Sequence, residues 1–214
     1  MRLPIDIETV KGFLDPEEGA ALYEAAYGAA GEGACLEVGA YCGKSAVYIG
    51  AAVKERGGAL FSIDHHRGSE ENQPGWEHHD ASLWDEEAGA MDTMPWFRRT
   101  IRRAGLEGTV IAVVGPSKTV ARWWRAPLAF LFIDGGHARE HAMNEYHFWT
   151  PHLQPGGVLA IHDVFPDPAD GGRPPFEIYS LALASGRFEQ TAMVKSLALL
   201  RRIETSEAPA PPGR

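Results

Sequence analysis

Short apolar runs alternate along the chain with stretches whose apolar residues recur at helical spacing. Five runs have strand length: Leu36 with Val38, then 59–64, 109–114, 128–134 and 158–161. The run at 128–134 is apolar at nearly every position, which predicts a strand buried on both faces and therefore parallel to its neighbours. Helical patterns fill the gaps. The first has an apolar stripe at Leu22, Tyr23, Ala26, Tyr27 and Ala30. Its start is Asp15-Pro16-Glu17-Glu18, with Asp as N-cap, Pro at the first helical position and Glu18 completing a capping box. This helix is expected to pack and to form part of a cofactor wall, while residues 1–14 read as a lead-in. Further helices are predicted from Lys44 to Val53, Pro95 to Gly105, Ser117 through Trp124, and Glu140 through Trp149. Phe188 to Arg202 alternates as a terminal antiparallel hairpin.

Strand–helix alternation of this kind predicts an α/β fold: a doubly wound, mostly parallel seven-stranded sheet with helices on both faces. One domain, 1–205, is expected, with a disordered tail at 206–214. An acidic insertion at 66–94 carries eight acids against one base, and Trp76 and Trp84. A connection of that length reads as a lid or binding loop. Indole faces beside carboxylates suit a polyhydroxylated ligand.

Composition narrows the partners. A net charge of −9 argues against nucleic acid and anionic membrane. Two cysteines, Cys35 and Cys42, are no disulfide framework, and no apolar run suggests a leader or a membrane span. The expected location is cytoplasmic. The expected partner is a small-molecule or oligosaccharide acceptor, with a homodimer as a candidate assembly.

The densest stretch is Glu37-Val-Gly39-Ala-Tyr41-Cys-Gly43-Lys-Ser45. It reads as a strand end, a glycine turn and a helix start, so backbone N–H groups point over the turn. A P-loop needs four residues between its glycines, and this chain has three. Glu37 would also repel a triphosphate and attract a cationic ligand instead. Asp64 follows Gly43 by 21 residues, near the spacing of about 20 at which doubly wound folds place a ribose-binding acid. Every predicted parallel strand ends in a chemically useful side chain: Glu37, Asp64, Ser117, Asp134, and His162 with Asp163.

With these residues in view, the chain resembles the class I S-adenosylmethionine-dependent methyltransferases over about residues 30–200. Ile133-Asp-Gly-Gly-His137 and Pro155-Gly-Gly-Val-Leu-Ala-Ile-His-Asp163 resemble the bacterial O-methyltransferases that act on sugars and related small molecules. The resemblance implies cofactor contacts from Glu37, Gly39, Tyr41, Gly43, Ser45, Asp64, Ser117 and Asp134. It implies a divalent cation, Mg²⁺, held by Asp134, His162 and Asp163. His162 stands where relatives often carry an acid, which softens the site. His137 is the implied catalytic base, with His141 in reserve on the acceptor side beside Trp76 and Trp84. The implied acceptor is a saccharide hydroxyl, in its narrowest form the 1-OH of a methylated mannoside; another small natural product is the alternative. The rival from a different class is a P-loop-like NTP-binding protein, resting on Gly43-Lys44-Ser45.

Overall fold

The computed structural model describes residues 1–76, 78–136, 138–167 and 173–203. Its strands are β1 (Ala34–Val38), β2 (Leu60–Asp64), β3 (Trp84–Asp85), β4 (Ala90–Met91), β5 (Val110–Val114), β6 (Leu128–Ile133), β7 (Leu153–Ile161), β8 (Phe188–Val194) and β9 (Leu197–Arg202). Its helices are α1 (Pro16–Ala29), α2 (Lys44–Glu55), α3 (Met94–Arg103), α4 (Ser117–Trp123), α5 (Arg139–Trp149) and α6 (Arg173–Ala184).

Seven strands form one sheet in the order β5-β2-β1-β6-β7-β9-β8. The first five are mutually parallel, and β9 runs antiparallel to both β7 and β8. The strand β6 is buried at every position, as its unbroken apolar run requires. Successive strand residues feed opposite faces. Cys35, Phe130 and Phe132 join a core with Leu22 of α1, Val47 and Ile49 of α2, and Phe97 of α3. Leu36, Leu131 and Ile133 join another with Tyr146 and Trp149 of α5 and Ile178 of α6. The chain winds outward from β1 in one direction and from β6 in the other. Their carboxyl ends therefore flank the switch point where such sheets bind ligands.

The acidic insertion is tethered. Its β3–β4 ribbon places Leu83 and Met91 against Cys42, with Tyr41 and Trp96 alongside. Two expectations need correction. Strand β7 begins at Leu153, not Val158; a register shift opposite β6 absorbs Pro155-Gly156-Gly157 as a bulge. Glu18 forms no capping box: Asp15 caps α1 by accepting from the Glu17 amide, and Glu18 is buried elsewhere. The terminal hairpin forms as expected, turning through Lys195 at φ +51°. The 206–214 tail lies outside the described residues.

Candidate active site

The glycine turn after β1 is built around Asp64 at the tip of β2. Its Oδ2 accepts from the amides of Ala40 (2.9 Å) and Tyr41 (2.8 Å), and its Oδ1 accepts from the His66 amide (2.7 Å). These bonds hold Tyr41 (φ +44°) and His66 (φ +58°) in left-handed backbone, costing of order 1–3 kcal/mol each. Gly39 is obligatory, because a Cβ there would overlap the Asp134 carbonyl. A carboxylate offers about four acceptor positions, so Asp64 keeps capacity for a ligand hydroxyl. The same bonds remove the phosphate reading. The Ala40 and Tyr41 amides of a P-loop would face phosphate; here they face a carboxylate.

Glu37 lies beneath this turn. It is wholly buried, its oxygens accepting from the hydroxyls of Ser62 (2.5 Å) and Ser45 (2.8 Å). Burial raises its pKa to about 7, opposed by the two serines and reinforced by Asp134 and Asp64. Its side chain is turned to the two serines under the turn. Ser45 lines the cavity wall.

A cavity of about 800 Å³ opens at the switch point, within the ordinary range for small-molecule sites. Gly39, Tyr41 and Ser45 line it from the turn; Asp64, Ser117, Asp134, His162 and Asp163 line it from the strand ends. Ser117 accepts from the Trp149 indole N–H (2.7 Å), which leaves its own proton for a ligand acceptor. Trp76 and His141 lie on the outer wall. Gly43 sits outside the lining as the N-cap of α2, against Phe97. Trp84 lies in the β3–β4 ribbon, apart from these lining residues, with its ring edge-on to His79. His137 lies outside the described residues.

At the tips of β6 and β7, the His162 Nδ1 is 3.1 Å from Asp134 Oδ1 and 3.4 Å from Asp163 Oδ2. Asp163 has φ +57°. One donor atom from each of the three residues lies within 4.8 Å of the others. Ligands on a cation at about 2.0–2.2 Å stand about 2.8–3.6 Å apart in octahedral or tetrahedral arrangements; both distances from His162 lie in that range, and two carboxylates with an imidazole are donors a divalent ion accepts. Nε2 of the same ring lies 2.9 Å from Glu18. Burial disfavours charge on His162, yet Asp134, Asp163 and Glu18 outweigh it and hold its pKa well above the imidazole range.

Several wall residues carried no signal in the sequence. Glu145 is buried, and burial raises its pKa to about 8, with Asp134 and Asp64 adding to the shift. Among the described residues its Oε2 has no hydrogen-bond partner, and it packs so closely on Gly135 that a Cβ there would overlap it. Residues 11–14, expected to be a lead-in, form wall and roof. Lys11 pairs with Asp80 of the insertion (2.5 Å), and the Phe13 ring meets His78 at 4.9 Å and Tyr41 at 5.9 Å. No local pattern marks an arm as a roof before the sheet places it there.

A mostly parallel sheet with an acid-rimmed crevice at its switch point is the architecture of a ligand-binding doubly wound α/β protein. A family profile described as a methyltransferase domain matches residues 36–164. That is more than half of the chain, which therefore belongs to this methyltransferase family. Solved structures share the fold. The O-methyltransferase NovP is 15% identical, with a TM-score of 0.67 over 88% of this chain and 80% of its own. The O-methyltransferase TomG from Streptomyces achromogenes, involved in tomaymycin synthesis and solved with SAM, is 15% identical, with a TM-score of 0.61 over 90% and 82%. An O-methyltransferase from Bacillus cereus, solved with SAH, is 17% identical, with a TM-score of 0.61 over 90% and 83%. Among the described residues no helix is long and apolar enough to cross a membrane.

Proposed function

We propose that the chain transfers the methyl group of S-adenosylmethionine to a hydroxyl of a saccharide, in its narrowest form the 1-OH of a methylated mannoside, with help from a divalent cation. The observation that carries the reading is the convergence of Asp64, Ser117, Asp134, His162 and Asp163 on one cavity roofed by aromatic side chains. In this reading Asp64 takes the ribose hydroxyls and Ser117 the adenine edge. The fold neighbours solved with SAM or SAH support that choice of donor.

A sugar hydroxyl is a weak nucleophile at neutral pH. A divalent ion held by Asp134, His162 and Asp163 supplies a lowered hydroxyl pKa and a fixed orientation when bound. The chain's own residues do the rest. His137, three residues after Asp134 in sequence, is the proposed proton acceptor. Trp76 and Phe13, both exposed at the cavity's edge, offer ring faces to the apolar face of a sugar, with His141 beside them. Contact of these rings with a bound sugar would help to hold the two reactants together. Transfer of labelled methyl from S-adenosylmethionine to methylated mannosides, with and without EDTA, tests the reading. Saccharide labelling that EDTA abolishes is the expected result. Labelling of other acceptors alone would reject the saccharide assignment, and indifference to EDTA would reject the cation.

A further inference from the structure

We propose that Glu18 of α1 is a positioning residue for the cation site, and that the site prefers Mn²⁺ to Mg²⁺. The inference rests on the reading that Asp134, His162 and Asp163 hold a divalent ion.

Glu18 is only 3% exposed, and both its oxygens are committed. Oε1 accepts from the Ser196 amide (2.9 Å) and hydroxyl (2.7 Å), and Oε2 faces His162 Nε2 at 2.9 Å. Ser196 is itself fixed. It lies in the β8–β9 turn, its carbonyl accepts from the Val164 amide (2.8 Å), and its neighbour Lys195 is paired with Asp15 (2.6 Å). The first helix and the last hairpin thus clamp one carboxylate against one imidazole.

The clamp has a chemical consequence. When an ion displaces the Nδ1 proton, the carboxylate on Nε2 keeps the remaining ring proton there and leaves the Nδ1 lone pair for the ion, between Asp134 and Asp163. Metal-bound histidines have their second nitrogen held in this way. A merely structural Glu18 could hold the ring without turning Nδ1 toward two carboxylates. The donor set is then two oxygens and one imidazole nitrogen. Mg²⁺ favours oxygen donors, and affinity for mixed nitrogen and oxygen sites rises from Mn²⁺ along the first-row series. Replacing an acid by His162 therefore moves preference away from Mg²⁺.

The test uses the full chain, stripped of metal and free of donor and acceptor. Titration with MnCl₂, followed by the spin resonance of free Mn²⁺, should show one ion per chain, and MgCl₂ should compete at least about tenfold more weakly. Glu18→Gln should weaken Mn²⁺ binding by about 10–100-fold, with affinity for S-adenosylhomocysteine unchanged. The physical reason is that the two Ser196 donors keep the glutamine oxygen, so its NH₂ faces Nε2 and drives the ring proton to Nδ1. His162→Asp should narrow or invert the Mn²⁺/Mg²⁺ ratio. Should Glu18→Gln fail to fold, Ser196→Ala, which loosens the clamp, should give a smaller loss in the same direction. Unaltered Mn²⁺ affinity in a folded Glu18→Gln protein overturns the role of Glu18. Equal competition by Mg²⁺ overturns the preference. No ion binding to the unmodified chain overturns the cation reading itself, and because methyl transfer is not measured here, none of these outcomes is confused with failure of the methyltransferase reading.

Discussion

Glu145→Gln isolates a buried ionisation beside the crevice. In the folded chain burial lifts the Glu145 pKa from 4.5 to about 8, with Asp134 and Asp64 adding to the effect. Between those values the folded state binds a proton that the unfolded state has released. Stability therefore falls as pH rises through this window and levels off above it. The full gap corresponds to about 5 kcal/mol, at about 1.4 kcal/mol per tenfold change. Glutamine has the same shape, keeps an oxygen for the Gly135 amide and cannot ionise. Thermal melts of both proteins in EDTA, from pH 5 to pH 9, should begin close together and diverge as pH rises. For a domain of this size 1 kcal/mol moves Tm by about 2–4 °C, so the variant should end about 10–20 °C higher. Distant groups titrate alike in both proteins and cancel in the difference, while Asp134 and Asp64, coupled to Glu145, belong to the effect read. Parallel curves across the range would refute a strongly raised pKa at Glu145.

Asp64→Ala removes three backbone hydrogen bonds from the turn as well as the proposed ribose contact. Affinity for S-adenosylhomocysteine should fall at least about 100-fold, or ~3 kcal/mol, by calorimetry; unchanged affinity would retire the assignment. His137→Ala should lower kcat by about 10²–10⁴-fold while donor affinity holds, and a fully active variant would remove the base. Trp76→Ala should raise the acceptor KM about fivefold, the loss of roughly 1 kcal/mol of ring contact, whereas Trp84→Phe should leave it alone. The reverse ranking in steady-state kinetics would return Trp84 to the acceptor side.

The sheet was legible because β6 is apolar at every position and because each parallel strand ends in a polar side chain. Those tips also revealed most of the crevice: a residue just past a parallel strand has little choice but to face the switch point. Less legible was what each tip touches. Glu37 and Asp64 both read as ligand-facing acids, yet Ser45 and Ser62 draw Glu37 beneath the floor while backbone amides turn Asp64 toward the wall. Glu18 satisfied a local capping rule, but its partners His162 and Ser196 lie 144 and 178 residues away, beyond any window of sequence. Trp84 looked interchangeable with Trp76 until the β3–β4 pairing turned it aside. The arm at Lys11 and Phe13 is short and irregular, and only the acidic insertion opposite gives it a role.

A methyltransferase crevice should receive a sulfonium nucleoside and not a nucleoside triphosphate. Calorimetric titration of the full chain with S-adenosylhomocysteine and, separately, with ATP and Mg²⁺ measures this directly. One molecule of S-adenosylhomocysteine should bind per chain at micromolar or tighter dissociation constant, and ATP should give no saturable heat. Saturable ATP binding with no response to S-adenosylhomocysteine would contradict the account.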